Sequence, residues 1–465
     1  MMLLCILLNA CEKFVSIPNP GEQFEEKTVF SSKESATSVV RGIYGEMIVG
    51  GASSYNLALL TGLAGVELEF PSNPDQKEFY YHRINSRTNA YLIDYWNAAY
   101  RCIHRANLVY ENCGQSSPID ISVKMQLQGE ALFIRAYWFL QLVNLFGDIP
   151  LPVTGEYKLN AGLGRTSTAK VYEQIIQDLT NAKQLIGIDY VNDNNFPADA
   201  ERIRPNRACV SALLARVYLY NGKFTEAEEA ASEVIGNSIY QIESPQEAFL
   251  SRSKEAIWQL ALPYPNYTAI NTQEGAGFIL NNTPNNAGQT ALSREIVTSF
   301  EEGDLRKDLW ISVYLDTAAS HPVSYYYAHK FKVKSSSEPR EYTMMLRLAE
   351  QYLIRAEARV HVGKYALALQ DLNVIRQRAG IQQLTSSNTT YSKPDLLQMV
   401  WKERKSELFT EQGHHWFDLK RTETCDSLMS KIAHERSSNW KPAYKLFPLP
   451  YAEILLKHIQ QNPGY

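Results

Sequence analysis

His414 and His415 stand side by side, and Glu403, Glu407 and Glu411 precede them at intervals of four. Such residues bind metals or move protons, so they are the first places to look for chemistry. No further ligand sits at i, i+4 spacing from the histidines, and adjacent residues on a helix point in different directions. The pair therefore reads as a polar turn with a structural role, not a metal site. The three glutamates would run along one side of a helix among Lys402, Arg404 and Lys405, which reads as a solvated or ion-paired face. Carboxylate pairs for sugar hydrolysis meet only in space, and nothing in the order of residues singles out such a pair. There is no phosphate-binding Gly-rich loop, no GxGxxG after a strand, no HExxH and no GxSxG. Cys102, Cys113, Cys209 and Cys425 are scattered without a CxxC pair. On one straight helix Cys102 and Cys113 would lie about 16 Å apart, too far for a disulfide. These thiols read as small buried hydrophobes, and no metal or cofactor is implied.

What must position any functional group is mostly helix. Trp96, Tyr100, Ile103, Ala106 and Tyr110 mark one apolar helix face, which makes Trp96 a core residue rather than a platform. Met125 to Phe146 reads as a central buried helix, and Thr168 to Ile186 carries Val171, Ile175, Leu179, Ala182 and Leu185 at helical spacing. Two segments resemble each other: Ala208 to Asn237 and Leu348 to Gly380. With Gly222 placed on Gly363, Ala215 meets Ala356, Phe224 meets Tyr365 and Ala227 meets Ala368. Small residues let two helices cross closely, and the aromatic after Gly-Lys plugs the turn, the pattern of a tetratricopeptide helix pair. Two pairs separated by a long insertion make a scaffold rather than a simple solenoid.

Two stretches lack helical periodicity, about 50–88 and about 264–342. The second is rich in Asn, Gly, Thr and Pro and predicts loops and short strands. Loops over a rigid scaffold commonly carry binding residues. The chain has 28 Tyr and 7 Trp in 465 residues, flat amphipathic faces suited to sugar rings and protein interfaces. Net charge is −4, with no basic cluster for nucleic acid or a membrane surface.

The chain opens "MMLLCILLNAC". This apolar run is far too short to span a bilayer, which takes roughly 20 residues. It reads as the apolar part of a secretion signal, residues 1–10, and Leu8-Asn9-Ala10-Cys11 resembles a bacterial lipobox with Cys11 as the lipidated residue. No Lys or Arg precedes the run, which is consistent with a start further upstream. Residues 11–30 are polar and Pro/Gly-bearing, as suits a tether.

Several stretches together resemble the SusD/RagB family of Bacteroidetes outer-membrane lipoproteins. They are the Cys11 site, "WNAAYRCIHRAN" (96–107), "GEALFIRAYWFLQLVNLFGDIPLP" (129–152), "RLAEQYLIRAEA" (347–358), "ERKSELFTEQGHHWFDLKR" (403–421) and "LFPLPYAEILLKHIQQNPGY" (446–465). The most specific is the Arg-Ala helix closing on Phe-Gly-Asp-Ile-Pro-Leu. Within it Gly147 is expected to end the helix in a left-handed conformation, Pro150 to prevent its resumption, and Asp148 to bond nearby backbone. His415 stands where members usually carry Arg, so a buried Arg–carboxylate fork is expected to give way to a weaker or pH-dependent contact.

The resemblance implies a mostly α fold, with four tetratricopeptide-like helix pairs under a loop-rich ligand face. It implies one SusD-like domain over 31–465 with an irregular insert at about 264–342. It implies a non-enzymatic lipoprotein, anchored to the outer membrane and facing the cell exterior. Such a protein captures oligosaccharide and passes it to a SusC-like TonB-dependent transporter. The RagB branch handles peptides instead; a glycoside hydrolase and a protein-binding tetratricopeptide scaffold are the competing classes. Ligand residues in the family lie on variable loops, so candidates rest on composition alone: Tyr80, Tyr81, Arg83, Tyr267, Trp310 and Tyr326, with Asn271 and Asn281 as polar partners.

Overall fold

The computed structural model describes residues 29–197, 201–262, 270–284, 289–318, 321–385 and 391–465. The expected leader, the tether up to residue 28, Cys11 and Tyr267 lie outside them. The fold is mostly helical, as expected. Its main helices are α1 (Lys33–Val49), α2 (Ser54–Ala64), α3 (Pro74–Tyr80), α4 (Ala90–Gln115), α5 (Ile121–Phe146), α6 (Thr168–Leu185), α7 (Arg207–Tyr220), α8 (Phe224–Ile235), α9 (Leu348–His361), α10 (Tyr365–Arg378), α11 (Lys393–Leu408), α12 (His414–Arg421) and α13 (Cys425–Glu435). From α4 to α12 each helix packs against the next in the chain. Taken by twos from α5, the run makes four pairs. The two pairs legible in the sequence, α7–α8 and α9–α10, are adjacent in space because α8 packs on α9.

The long insertion leaves the array intact because its two ends pair. Strand β2 (Ala256–Leu260) leads into it, and β6 (Thr343–Arg347) leads out and runs directly into α9. The two are antiparallel and wholly buried, with Ala256 opposite Arg347 and Leu260 opposite Thr343. The chain therefore re-enters beside its exit point. Between them lie short helices, the strand β3 (Ala291–Leu292) and a hairpin of β4 (Ile311–Asp316) and β5 (Val323–Ala328). The 50–88 stretch is more regular than its composition suggests. It holds β1 (Leu68–Glu69), which pairs with β3, as well as α2 and α3, whose first turns are capped by the side chains of Ser53 and Asn73.

Helix α5 is apolar on nearly every side and sits in the centre of the main core, as a helix of that composition must. Its one internal cation is answered. Arg135 makes a two-pronged bond to Asp178 of α6 (2.8 and 2.6 Å) and donates to Asn107 of α4 (2.8 Å) and to the Val153 carbonyl (3.0 Å). Gly147 ends α5 with φ +73° but ψ −127°, a positive-φ geometry outside the left-handed helical well. Asp148 reaches further than its own turn: it accepts from the backbone and hydroxyl of Thr168, at the start of α6 (2.8 and 2.9 Å). The four cysteines, Cys102, Cys113, Cys209 and Cys425, are free and buried.

The three glutamates at four-residue spacing are ion-paired and not solvated. Arg306 bonds Glu403 (2.6 Å) and Glu407 (2.9 Å), Arg347 bonds Glu407 (2.5 Å), Glu411 (2.7 Å) and Glu255 (2.8 Å), and Arg378 also holds Glu407. Against the burial penalty, Arg378, Arg347 and Arg306 hold the Glu407 carboxyl well below the usual range. His415 makes no fork, as expected, but no weaker hydrogen bond replaces one: among the described residues its Nε2 is buried without a partner. Arg404 and Arg421 supply the neighbouring forks to Asp418 and Glu357 (2.6 to 3.2 Å), and burial pushes the His415 pKa down to about 3, so its ring is neutral near pH 7. Among the described residues no cluster of three His, Cys, Asp or Glu could hold a metal.

Candidate functional site

A cleft of about 860 Å³ opens where four elements converge: the Val66–Pro71 turn after α2, the end of α3, the Ser293–Thr298 segment after β3, and α13 with Arg436. Tyr80 and Tyr81 line it, both half-buried, their rings 5.1 Å apart and nearly perpendicular. Their position is set from behind. Arg436 donates to the carbonyls of Leu63 (3.0 Å), Tyr80 (3.2 Å) and Gly65 (2.9 Å), and its guanidinium lies 3.8 Å from the Tyr80 ring centre. This joins the ends of α2 and α3 and covers one side of Tyr80 with a cation.

His82 completes the clamp. It takes φ +54°, a left-handed conformation uncommon for a side-chain-bearing residue, and its Nε2 lies 2.8 Å from the Ala64 carbonyl. Its ring is edge-on to Trp440 (4.8 Å) and parallel to Tyr444 (6.3 Å). Burial pushes its pKa down to about 4. The ring is thus neutral near pH 7 and carries its proton on Nε2 to donate to the carbonyl.

Phe70 stands at the cleft with φ +61°, 38% exposed, edge to face with Tyr325 at 5.3 Å. Backbone strain of this kind concentrates at ligand clamps. The β4–β5 hairpin is thereby tied to the cleft on one face only. Tyr325 pairs across strands with Tyr314, whereas Tyr326 pairs with Val313, and neighbouring strand residues point to opposite faces. Tyr326 is 42% exposed on the face away from Phe70.

Of the eight residues chosen from composition, the structure brings Tyr80 and Tyr81 into one cleft. Arg83 is exposed but does not line it, and Asn281 is exposed elsewhere. Two choices are corrected. Trp310 is wholly buried; its indole donates to the Pro245 carbonyl (2.7 Å), and its face meets Lys330 (4.9 Å) and Arg378 (5.0 Å). Asn271 is 2% exposed and bridges the Glu338 carbonyl and the Glu341 N–H. A ring or amide committed to the interior presents nothing to a ligand. Phe70, Tyr325, Arg294, Lys431 and Arg436 were not anticipated. Phe70 and Tyr325 lie in the two irregular stretches, but Lys431 and Arg436 come from a regular helix and its end, which carry no local signal.

The fold is thus a tetratricopeptide-like helical scaffold that carries a cleft with an aromatic lining. The chain belongs to the SusD family: its profile matches residues 295–465, and a second profile, "Starch-binding associating with outer membrane", matches 19–219. SusD-like proteins P2 and P25 of Formosa agariphila are 25% and 22% identical. Their alignments cover 81% and 80% of this chain and 81% and 79% of theirs. Solved structures share the fold. A SusD superfamily protein of Bacteroides vulgatus matches with TM-score 0.79 at 17% identity, over 94% of this chain and all of its own. A SusD homolog of Bacteroides thetaiotaomicron matches with TM-score 0.79 at 20% identity, covering 95% and 99%. A structure described as a laminarin-binding SusD-like protein matches with TM-score 0.73 at 22% identity, covering 93% and 99%.

Proposed function

We propose that this protein captures oligosaccharide at the Tyr80–Tyr81 cleft, as a non-enzymatic lipoprotein anchored to the outer membrane through Cys11 and facing the cell exterior. It then delivers the ligand to a SusC-like TonB-dependent transporter. The observation that carries the reading is the pair of tyrosine rings held rigidly from behind, with Phe70 and Tyr325 beside them. Sugar rings have apolar C–H faces that lie on such rings, and a rigid aromatic surface binds without losing much conformational freedom. Family membership and the laminarin-binding neighbour support a glycan over other ligands.

The test is calorimetric titration of the purified chain with a glycan panel, alongside an assay for released reducing ends. Binding without product release is expected. Tyr80→Ala and Tyr81→Ala should each weaken it by roughly tenfold or more, as truncating an aromatic anchor does. Product release would move the chain to the hydrolases, and binding of peptides alone would move it to the RagB-like version. For the anchor, Cys11→Ser should shift the protein from the membrane fraction to the soluble fraction; unchanged fractionation would refute lipidation at that position.

A further inference from the structure

The charges of the cleft are unevenly committed. Lys77, Arg294 and Lys431 all line it with exposed side chains, and among the described residues none has an ion-pair partner. The carboxylates beside them are largely occupied. Glu295 is paired with Lys405 at 2.7 Å, and that lysine lies outside the cleft lining. Glu69 accepts the backbone N–H of Arg294, and burial raises its pKa, which weakens its charged form. Glu435 is exposed and among the described residues makes no ion pair, so one free carboxylate shares the lining; Arg436 is committed to three carbonyls and the Tyr80 face. Three free cations therefore remain on one concave surface of a chain whose net charge is −4. Like charges gathered in a cleft with low-dielectric walls focus a field that selects ligands by sign.

The polar lining points the same way. Neutral sugar hydroxyls are well served by amide side chains, which offer donors and an acceptor on one group. Among the described lining residues there is no Asn or Gln; the side-chain donors are Lys, Arg, Ser, Thr and Tyr, and the carboxylates are Glu69, Glu295 and Glu435. We infer that the cleft takes an anionic oligosaccharide, with its rings against Tyr80 and Tyr81 and its carboxylate or sulfate groups met by Lys77, Arg294 and Lys431. The inference rests on the glycan-binding reading above and adds the ligand's charge.

The experiment titrates the full chain with four probes: oligogalacturonides (carboxylate only), carrageenan oligosaccharides (sulfate only), laminari-oligosaccharides (neutral) and an oligoglutamate peptide. One or both anionic saccharides should bind at least about tenfold more tightly than the neutral one in low salt, and that advantage should shrink steeply towards 0.5 M salt as screening sets in. The triple variant Lys77→Gln, Arg294→Gln, Lys431→Gln should lose about tenfold or more of anionic-saccharide affinity. Its thermal midpoint should hold, since all three side chains are exposed, and a Lys431→Glu variant should weaken the same ligands in the same folded background. Equal or tighter binding of the neutral saccharide overturns the charge assignment and leaves glycan capture standing. An unaffected triple variant does the same. Binding of the peptide alone, or silence from all three saccharides, overturns both.

Discussion

Tyr80 and Tyr81 owe their place to residues on their far side. His82 is the one whose charge state is informative. Its pKa is about 4 in the folded protein, against about 6.5 for a free histidine, because burial disfavours the charged ring. The folded state therefore binds fewer protons than the unfolded chain between these values. The group's contribution is fully present above pH 6.5 and is lost as pH falls towards 4. At pH 5 that loss is about 2 kcal/mol. Asn is the informative replacement: it tolerates left-handed backbone and carries no titratable group. Urea unfolding of the wild type and of His82→Asn at pH 7.5 and pH 5 should show the wild type losing about 2 kcal/mol more on acidification. Identical pH dependence in the two proteins would mean that His82 titrates normally. Glu67, which burial pushes up to about 7, acts in the opposite direction but is common to both proteins and cancels.

At the scale of elements, the stretch "LVNLFGDIPLP" shows what local sequence can and cannot carry. The helix stop was legible, because Gly followed by spaced prolines cannot continue a helix. The pairing of α7–α8 and α9–α10 was legible for a similar reason: Gly222 and Gly363 both take positive φ at matching turns. Less of the turn chemistry was readable. Phe224 stacks on His361 of the neighbouring pair at 3.7 Å and so joins two pairs rather than plugging its own turn. Asp148 serves the start of α6, twenty residues on, a partner that only the folded path supplies. Gly147 is the position that tolerates least. Its backbone combines positive φ with ψ −127°, and an added Cβ would sit 2.9 Å from Leu446 Cδ1. Gly147→Ala should therefore cost about 1–3 kcal/mol from backbone strain, with side-chain displacement in addition. Gly222→Ala, where a Cβ meets nothing within 4 Å, should cost less. Urea midpoints of the two variants decide; equal losses would show that the Leu446 contact and the unusual ψ carry no weight.

At the scale of the whole molecule, buried Arg–carboxylate forks recur at several helix–helix contacts. Arg135–Asp178 joins α5 to α6, Arg216–Glu350 joins α7 to α9, and Arg421–Glu357 joins α12 to α9. Composition could not disclose them. Glu403, Glu407 and Glu411 would lie on a solvated face if Arg306, Trp310 and Lys330 of the insertion did not cover them, and this is also why Trp310, the roof over Lys330 and Arg378, looked available for a ligand. The densest of these networks reaches the cleft. Arg347 holds Glu407 and Glu411; between those glutamates, Thr410 gives its N–H to the Glu67 carboxylate (3.3 Å); the Glu67 carbonyl accepts from Ser293 N–H (2.9 Å), and the Ser293 hydroxyl bonds the Val66 carbonyl. Val66 and Ser293 are both cleft residues. Removing one partner of a buried pair leaves the other charge uncompensated, so Arg347→Met should cost about 3–5 kcal/mol. Leu179→Ala, a cavity in α6 outside the cleft, should cost a comparable 2–5 kcal/mol or so. Stability alone therefore cannot separate them, but binding can. With both variants well below their melting midpoints, Arg347→Met should lose glycan affinity several-fold because the floor of the cleft relaxes, while Leu179→Ala keeps it. Equal affinities would show that the cleft is held by Arg436 and His82 alone, and that the network beneath it serves only to close the insertion onto the helical array.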